Sequence, residues 1–351
     1  MLANIIHPGF YLQDILENIN MTQKEASMRL GIAENHLSEM LNGKRTITPD
    51  TALKLETVFG GNASYWNNLQ TKYNEVVARR EQEENLKLQI PLLEKFKSFY
   101  RDLVDAWACR DTKKAEEKVE SLLTFFGVTS LAQIAPVSQV AFRKSNKHFI
   151  SDESVAAWLK LGERAADALD VQPYDREKLR NELKTIRLNT QDVSTFGSKL
   201  IEIWKECGVK IVFVKHITHA PVSGATRWIQ DTPIIQLSDR GKHFDTVVFT
   251  LFHEFGHVLL HEGETFLDAK VAEDGKAEYE VMKKEQEADN FAEESLMLSQ
   301  VSEIITSDTD IKQLAKKLQI HHSLIAGKMA RLTGNYAKMD HLRTKVQISE
   351  K

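Results

Sequence analysis

The chain has 351 residues, of which 42% are hydrophobic and 27% charged, which is typical of a soluble globular protein with two or three domains. The net charge of -4 excludes a bulk electrostatic attraction to nucleic acid, so any DNA binding must come from a local patch. Two cysteines exclude a disulfide framework, and the lack of a basic leader and of a run of about 18 apolar residues predicts a cytoplasmic protein without a membrane span.

The first predicted elements, in residues 22–45, are two short helices separated by a tight turn. Thr22 is placed to cap the first helix, which we expect to end at Leu30 before a turn at Gly31. Leu37 and Met40 recur at the spacing of buried positions in the second helix. This arrangement is typical of a helix-turn-helix unit, whose second helix enters the major groove of DNA.

Polar side chains on the exposed surface of these helices are the predicted DNA contacts. On the second helix they are Glu34, Asn35, His36 and Ser38, and those placed for phosphate groups are Gln23, Lys44 and Arg45. Because residues 1–80 hold eight basic and eight acidic side chains, a unit used only for protein contact is the alternative. Helix-turn-helix units usually bind double-stranded DNA as dimers, so we expect a homodimer on an operator.

The pattern is helical from residue 91 to about 190 and then changes to three predicted strands, at 208–216, 222–230 and 232–239. The second strand is the candidate edge to which an extended peptide substrate would add. Its predicted substrate contacts are Gly224, Ala225, Thr226 and Arg227, of which the first two allow close backbone approach. Trp228 is either a further contact or part of the core.

The predicted helix after the strands contains the HExxH motif His253-Glu254-Phe255-Gly256-His257. Residues four apart lie on one face of a helix, so both imidazoles can reach one Zn²⁺ ion. Glu254 lies off that line, where it can act as general base toward an attacking water and return the proton to the leaving amine. Gly256 lowers helix stability, which suggests that another backbone approaches there.

Zinc requires a third protein ligand, and the candidate is Glu285 on a helix predicted over residues 278–298. Asp289 is placed to accept a hydrogen bond from a ligand histidine, and Ala288 and Ala292 allow close approach to the HExxH helix. In the alternative, the EQE run is a solvated charged face. The other acidic or histidine side chains close in sequence are His261, which we expect outside the ligand set, Glu262, Glu264, Asp268 and Glu287.

Two parts of the chain resemble known families. The N-terminal segment, from HPGFYLQDIL through MTQKEASMRLGIAENHLSEMLNGKR to GGNASYWNNLQ, is similar to the XRE-type, HigA-family antitoxin domain. The motifs VSGATRW, HEFGHVLLH and EQEADNFAEESLM resemble the ImmA/IrrE family of zinc metallo-endopeptidases. The sequence departs from the second family's pattern just after the last motif, where AEESLMLSQ lacks the family's proline. The departure concerns the geometry of the loop that follows, not the metal site.

The resemblance implies that His253, His257 and Glu285 hold Zn²⁺ and that Glu254 is the catalytic acid and base. Peptidases of this family typically cut a DNA-binding repressor, so a repressor or similar regulator is the implied protein substrate. The HigA likeness implies an alternative, an antitoxin or autorepressor whose metal domain senses a signal or binds a partner without proteolysis. The C-terminal segment 310–332 is similar to a second helix-turn-helix, in which we expect Lys328 and Arg331 to be exposed.

Together these observations predict an α+β fold that is mostly α. The predicted regions are an all-α helix-turn-helix domain at 1–80, a helical middle region at 81–190, a zincin-like peptidase core with a small three-stranded sheet at 191–300, and a C-terminal helical segment at 301–351.

Overall fold

The computed structural model describes residues 6–134, 151–239, 243–267, 275–301, 303–305 and 307–346. The chain divides into two compact units, Met1–Ile90 and Pro91–Lys351. As predicted, the described chain is mostly helical with one small sheet. No helix within these ranges is both long and apolar enough to cross a membrane.

Helices alone make up the described part of the first unit. They are α1 (Pro8–Asn18), α2 (Gln23–Leu30), α3 (Glu34–Leu41), α4 (Pro49–Phe59) and α5 (Ala63–Gln89). The predicted domain boundary at residue 80 therefore falls inside α5. The helices bury one apolar core, in which Leu12, Leu37 and Leu55 are fully enclosed and Trp66 is nearly so.

The predicted start and end of α2 are confirmed. The Thr22 hydroxyl accepts a hydrogen bond from the backbone N–H of Glu25 at 3.2 Å, which satisfies one of the free donors at the helix start. The helix ends at Leu30, and Gly31 follows with φ +62°, the left-handed conformation that favours glycine. Buried Ser27 lets α2 and α3 pack closely, so these local signals fix the geometry of the helix-turn-helix unit.

The second unit contains the remaining helices and the sheet. Before the sheet lie α6 (Tyr100–Asp105), α7 (Ala115–Phe126), α8 (Asp152–Asp167), α9 (Arg176–Asn189) and α10 (Val193–Cys207). The strands are β1 (Lys210–Val214), β2 (Gly224–Ile229), β3 (Thr232–Ser238) and β4 (Phe266–Leu267). The other helices are α11 (Phe244–Leu260), α12 (Gly275–Ser295), α13 (Asp308–Leu318), α14 (His322–Thr333) and α15 (Tyr336–Met339).

The sheet has the strand order β1-β3-β2-β4. The three predicted strands are present, with β1 parallel and β2 antiparallel to β3. The two-residue β4, which follows α11, was not predicted and pairs with Ala225 and Thr226 of β2. Helix α8 packs against the sheet, where buried Gln236 donates a hydrogen bond to the Trp158 carbonyl at 2.6 Å.

Helix α11, which carries the HExxH motif, is enclosed along almost its entire length. Two arginines fix its ends. Arg343 forms a buried bidentate ion pair with Asp245 in the first turn, with its shortest N–O distance at 2.8 Å. Arg176 donates to the Leu259 carbonyl in the last turn at 2.6 Å, which satisfies one of the free acceptors there. The helix is thus held firmly enough to position side chains for chemistry.

The C-terminal pair α13 and α14 has the helix-turn-helix appearance that the sequence predicts, and Arg331 is exposed. The prediction that Lys328 is exposed was wrong, because its side chain is buried. Its ammonium group forms an ion pair with Glu293 at 2.8 Å and donates to the Leu298 carbonyl at 2.7 Å. The charge is therefore neutralised inside the fold, where Lys328 joins α14 to α12 and the following turn.

Candidate metal centre

The centre depends on a close approach of α11 and α12. A Cβ atom on Gly256 would lie 3.0 Å from the Ala288 Cα and 3.3 Å from the Ala288 carbonyl oxygen. Ala288 and Ala292 are both fully buried, so small residues line both sides of the contact. The glycine that lowers the helix propensity of α11 is therefore the residue that lets the second helix approach.

Three side chains from these helices converge on one point. The Nε2 atoms of His253 and His257 are 3.0 Å apart, and the Glu285 carboxylate oxygens lie 3.2 Å from the first and 3.6 Å from the second. Among the described residues this is the one group of three or more His, Cys, Asp or Glu side chains whose donor atoms could hold a single ion. Both histidines are buried and Glu285 is partly buried.

These distances suit a zinc ion. Two atoms that each bind one tetrahedral zinc at about 2.0–2.1 Å are about 3.3 Å apart, and the three observed separations of 3.0, 3.2 and 3.6 Å bracket that value. Two imidazoles and one carboxylate are also the ligand set of catalytic zinc sites that leave a position open. The residues present therefore fit the metal.

The pKa values of the three side chains depend on their burial and on one another. Burial alone would raise the pKa of Glu285, but hydrogen bonds from His253 and His257 outweigh it and lower that pKa to about 2. Burial lowers the pKa of His257 to about 4. Burial would also lower the pKa of His253, but hydrogen bonds to Asp289 and Glu285 raise it to about 11. His253 is therefore protonated beside an ionised Glu285 at neutral pH, and a metal cation would have to displace that proton to bind both histidine Nε2 atoms.

The structure places the other candidate ligands outside this cluster. Asp289 lies 2.9 Å from the His253 Nδ1 atom, on the side of the ring away from Glu285. His261 lies next to His257 and Glu287, while Glu264 forms an ion pair with Lys284. Asp268 lies outside the described residues.

Glu254 is fully buried beside the cluster, and β2 determines where its carboxylate lies. The Thr226 hydroxyl donates to the Glu254 Oε2 atom at 2.6 Å. A Cβ atom on Gly224 would collide with the Glu254 Oε1 atom and lie 2.6 Å from the Thr250 Cγ2 atom. Sequence reasoning assigned Thr226 and Gly224 to substrate contact and missed these roles. The period of a strand was the available signal, since residues two apart share a face.

The predicted substrate edge on β2 is partly covered. Ala225 and Thr226 pair with β4, so a substrate strand would have to add beyond these residues or beside β4. Arg227 is mostly buried and donates to the Leu159 carbonyl at 3.0 Å and to Gln236 at 3.3 Å. Trp228 packs edge-on against Tyr174 with ring centroids 5.2 Å apart, which favours its assignment to the core.

The predicted DNA contacts lie on the helix-turn-helix surface of the first unit. Glu34 and Asn35 are exposed at the start of α3, while His36 and Ser38 are half-buried along it. The predicted phosphate contacts, Gln23, Lys44 and Arg45, are exposed. Arg45 forms an exposed ion pair with Glu39 at 2.8 Å, which exchange with a phosphate group would break.

Two parts of the chain match known protein families. Residues 12–66 match the helix-turn-helix family, and residues 205–332 match the IrrE N-terminal-like domain of the M78 peptidases. The second match includes the strands β1 to β4, both metal-site helices and the C-terminal pair as far as Leu332. The three converging side chains therefore lie within the part of the chain that matches a peptidase domain.

Curated relatives match the N-terminal part. An uncharacterized HTH-type transcriptional regulator, YddM of Escherichia coli, is 34% identical over 73 residues, which are 21% of this chain and 78% of the relative. Virulence-associated protein I of Dichelobacter nodosus is 33% identical over 88 residues, 25% of this chain and 81% of the relative. A solved HigA-family addiction module antidote protein from Coxiella burnetii is 32% identical, with a TM-score of 0.23, and covers 25% of this chain and 96% of that one. The chain belongs to the helix-turn-helix regulators and joins that unit to an IrrE-like M78 peptidase domain.

Proposed function

We propose that this protein is a DNA-binding transcription regulator that cleaves a partner protein with a zinc-dependent endopeptidase site. The observation that carries the proposal is the convergence of His253, His257 and Glu285 next to buried Glu254 within a peptidase domain. A general base beside a zinc position is the arrangement that peptide hydrolysis requires.

Each residue of the site has a separate task. A zinc ion bound by the three ligands would supply Lewis-acid polarisation of the scissile carbonyl. Glu254 takes a proton from the attacking water and delivers it to the leaving amine. Thr226 holds the Oε2 atom of Glu254 by its hydrogen bond, and Gly224 leaves the space in which the carboxylate lies.

The helix-turn-helix unit gives this activity a regulatory setting. Its exposed polar surface on α2 and α3 would bind a double-stranded operator as part of a homodimer, and such a protein would act in the cytoplasm. A peptidase in the same chain would act on a repressor or another regulator, so that cleavage changes gene expression.

The test replaces Glu254 with Gln in the full chain. The variant keeps the size of the side chain and a carbonyl acceptor for Thr226, and we expect it to retain zinc and lose cleavage. New protein N-termini in cells that express the parent or the variant are compared by mass spectrometry. Glu264→Gln, which removes a surface carboxylate, is the matched control and should behave like the parent.

Cleavage products that depend on Glu254 would identify the substrate. Equal products, or equal regulation, with parent and Glu254→Gln would overturn the peptidase proposal. The protein would then act as a HigA-like antitoxin or autorepressor whose metal domain senses a signal or binds a partner.

A further inference from the structure

A second histidine contact lies behind the metal centre. His261 follows His257 by four residues and is buried, with 7% of its surface exposed. The Nδ1 atoms of the two rings are 3.2 Å apart, and the Nε2 atom of His261 lies 2.9 Å from the Glu287 Oε2 atom. The three side chains thus form a continuous line of hydrogen-bonding groups that ends at ligand His257.

The chemistry at both ends fixes the direction of these hydrogen bonds. At one end, the His257 Nε2 atom must keep its lone pair for the metal, so its Nδ1 carries the proton and donates. At the other end, the Glu287 carboxylate can only accept. His261 must therefore accept at Nδ1 and donate from Nε2, which a single neutral tautomer of this ring achieves.

The position of the two rings is also fixed by packing. Phe266 of β4 stacks on His257 with ring centroids 3.9 Å apart and planes 11° apart, and it lies 5.2 Å from the His261 ring. Stacking leaves His257 free to turn in its own plane, and a hydrogen bond at Nδ1 restricts that rotation. His253 receives the equivalent restriction directly, from Asp289 at 2.9 Å.

We propose that His261 and Glu287 are positioning residues that hold ligand His257 in its metal-binding orientation and do not bind the metal themselves. The proposal rests on the proposed zinc site and adds a partner to its second histidine. In carboxylate–histidine–zinc arrangements such a partner orients the ring and raises its basicity, and its loss typically lowers metal affinity by about 10–100-fold.

The geometry argues against His261 as a ligand. Its Nε2 atom contacts Glu287, and its Nδ1 atom contacts the Nδ1 atom of His257, whereas the ligand set converges on the Nε2 atom of that ring. Among the described residues, His261 and Glu287 are not part of the three-residue cluster around the metal position.

The test measures zinc affinity of the full chain by competition with a chelator, and counts imidazole ligands by X-ray absorption of the zinc-loaded protein. The variants are His261→Ala, Glu287→Ala and His261→Gln, whose side-chain carbonyl can still accept from His257. His341→Ala is the matched control, because His341 forms an exposed pair with Asp308 at 2.9 Å and is not one of the three converging ligands.

We expect His261→Ala to bind zinc about 10–100-fold more weakly than the parent, with two imidazoles still bound to the metal. Glu287→Ala should lose less zinc affinity, and His261→Gln should recover part of the affinity that His261→Ala loses. The control should match the parent. Thermal melting without zinc identifies a variant that is merely misfolded, and His261→Gln then carries the comparison.

Four results would overturn the proposal. If His261→Ala and the control bind zinc with the same affinity, His261 does not position the ligand. If the absorption spectrum of His261→Ala shows one imidazole fewer than that of the parent, His261 is itself a ligand. Equal loss in folded His261→Ala and His261→Gln would exclude the hydrogen bond as the cause. A parent chain that binds no zinc would overturn the proposed function together with this inference, whereas the other results leave the zinc site intact.

Discussion

At the scale of single residues, Thr226 determines how the candidate base is held. Its hydroxyl donates a hydrogen bond to the Oε2 atom of fully buried Glu254 at 2.6 Å. A hydrogen bond to a charged group contributes about 1.5–3 kcal/mol, so its loss in Thr226→Val should lower the cleavage rate about 10–100-fold. The valine keeps the shape of the side chain, so zinc content should not change.

The measurement is the rate at which the purified variant cleaves its substrate. That substrate is the protein whose new N-termini, found by mass spectrometry, depend on Glu254. Thr226→Ser, which keeps the hydroxyl, should retain most of the activity. Full activity in the valine variant would show that Glu254 needs no such support, and loss of zinc would move the role of Thr226 to the metal site.

The sequence predicted the residues whose spacing is local. His253 and His257 are four apart on one helix, and Thr22 and Gly31 are signals at the two ends of another. The contact of Thr226 with Glu254 spans 28 positions and joins a strand to a helix. The period of two places Thr226 and Gly224 on one face of β2, but it does not say which helix that face meets, and both residues were assigned to substrate contact instead.

Lys328 is a second residue whose surroundings depend on a contact between distant parts of the sequence. A lysine is normally exposed, and only the fold shows that Glu293, 35 positions away, neutralises it in the interior. Glu285 was proposed from the sequence because Asp289 and two alanines accompany it, and the approach of α12 to α11 brings its carboxylate to the two histidines.

At the scale of elements, the contact between α11 and α12 sets the distance from the histidines to Glu285. In Gly256→Ala, the better helix propensity stabilises by about 1 kcal/mol, while the added methyl group at 3.0 Å from Ala288 costs about 1–3 kcal/mol. The cost of overpacking therefore equals or exceeds the gain in helix propensity. The added methyl group also displaces α12, which moves Glu285 away from His253 and His257. We expect unchanged or lower stability together with weaker zinc binding.

The matched control is Gly197→Ala in α10, where a Cβ atom meets nothing within 4 Å. It should gain about 1 kcal/mol of unfolding free energy from helix propensity and bind zinc as the parent does. Urea unfolding and chelator competition measure both quantities. If Gly256→Ala gained as much stability as the control without losing zinc affinity, the close contact would not position the ligand.

The strand β4 also belongs to this scale and was absent from the sequence prediction. It has two residues, and neither length nor alternation marks so short a strand. Its effect is nevertheless specific, because it pairs with Ala225 and Thr226 and brings Phe266 onto the His257 ring. The three longer strands were predictable since each combines branched apolar residues with turn residues at its ends.

At the scale of the whole molecule, stability should fall in acid partly because of His321. Its Nδ1 atom accepts a hydrogen bond from the Ser323 backbone N–H at 3.2 Å, which requires a neutral ring, and burial lowers its pKa to about 4. The unfolded chain, with an ordinary pKa of about 6.5, binds this proton more tightly. The contribution of His321 is therefore fully present above pH 6.5 and is lost as the pH falls toward about 4.

The variant His321→Asn removes this titration and keeps a residue suited to capping. Relative to the parent, it should gain stability as the pH is lowered from 7.5 to 5, measured as the difference between their urea midpoints. Since other groups titrate in both proteins, only this difference is informative. His341→Asn makes the same change at an exposed histidine and is the matched control for the substitution itself. Parallel curves for His321→Asn and the parent would contradict the assignment.

The central claim is that His253, His257 and Glu285 form one zinc site in the peptidase domain. It is tested most directly by the metal content of the purified full chain after zinc is supplied, for the parent, His253→Ala and Glu285→Ala, with His341→Ala as the control. We expect about one zinc per chain in the parent and control, and a loss in the other two variants. A parent without zinc, or Glu285→Ala with undiminished zinc, would contradict the account.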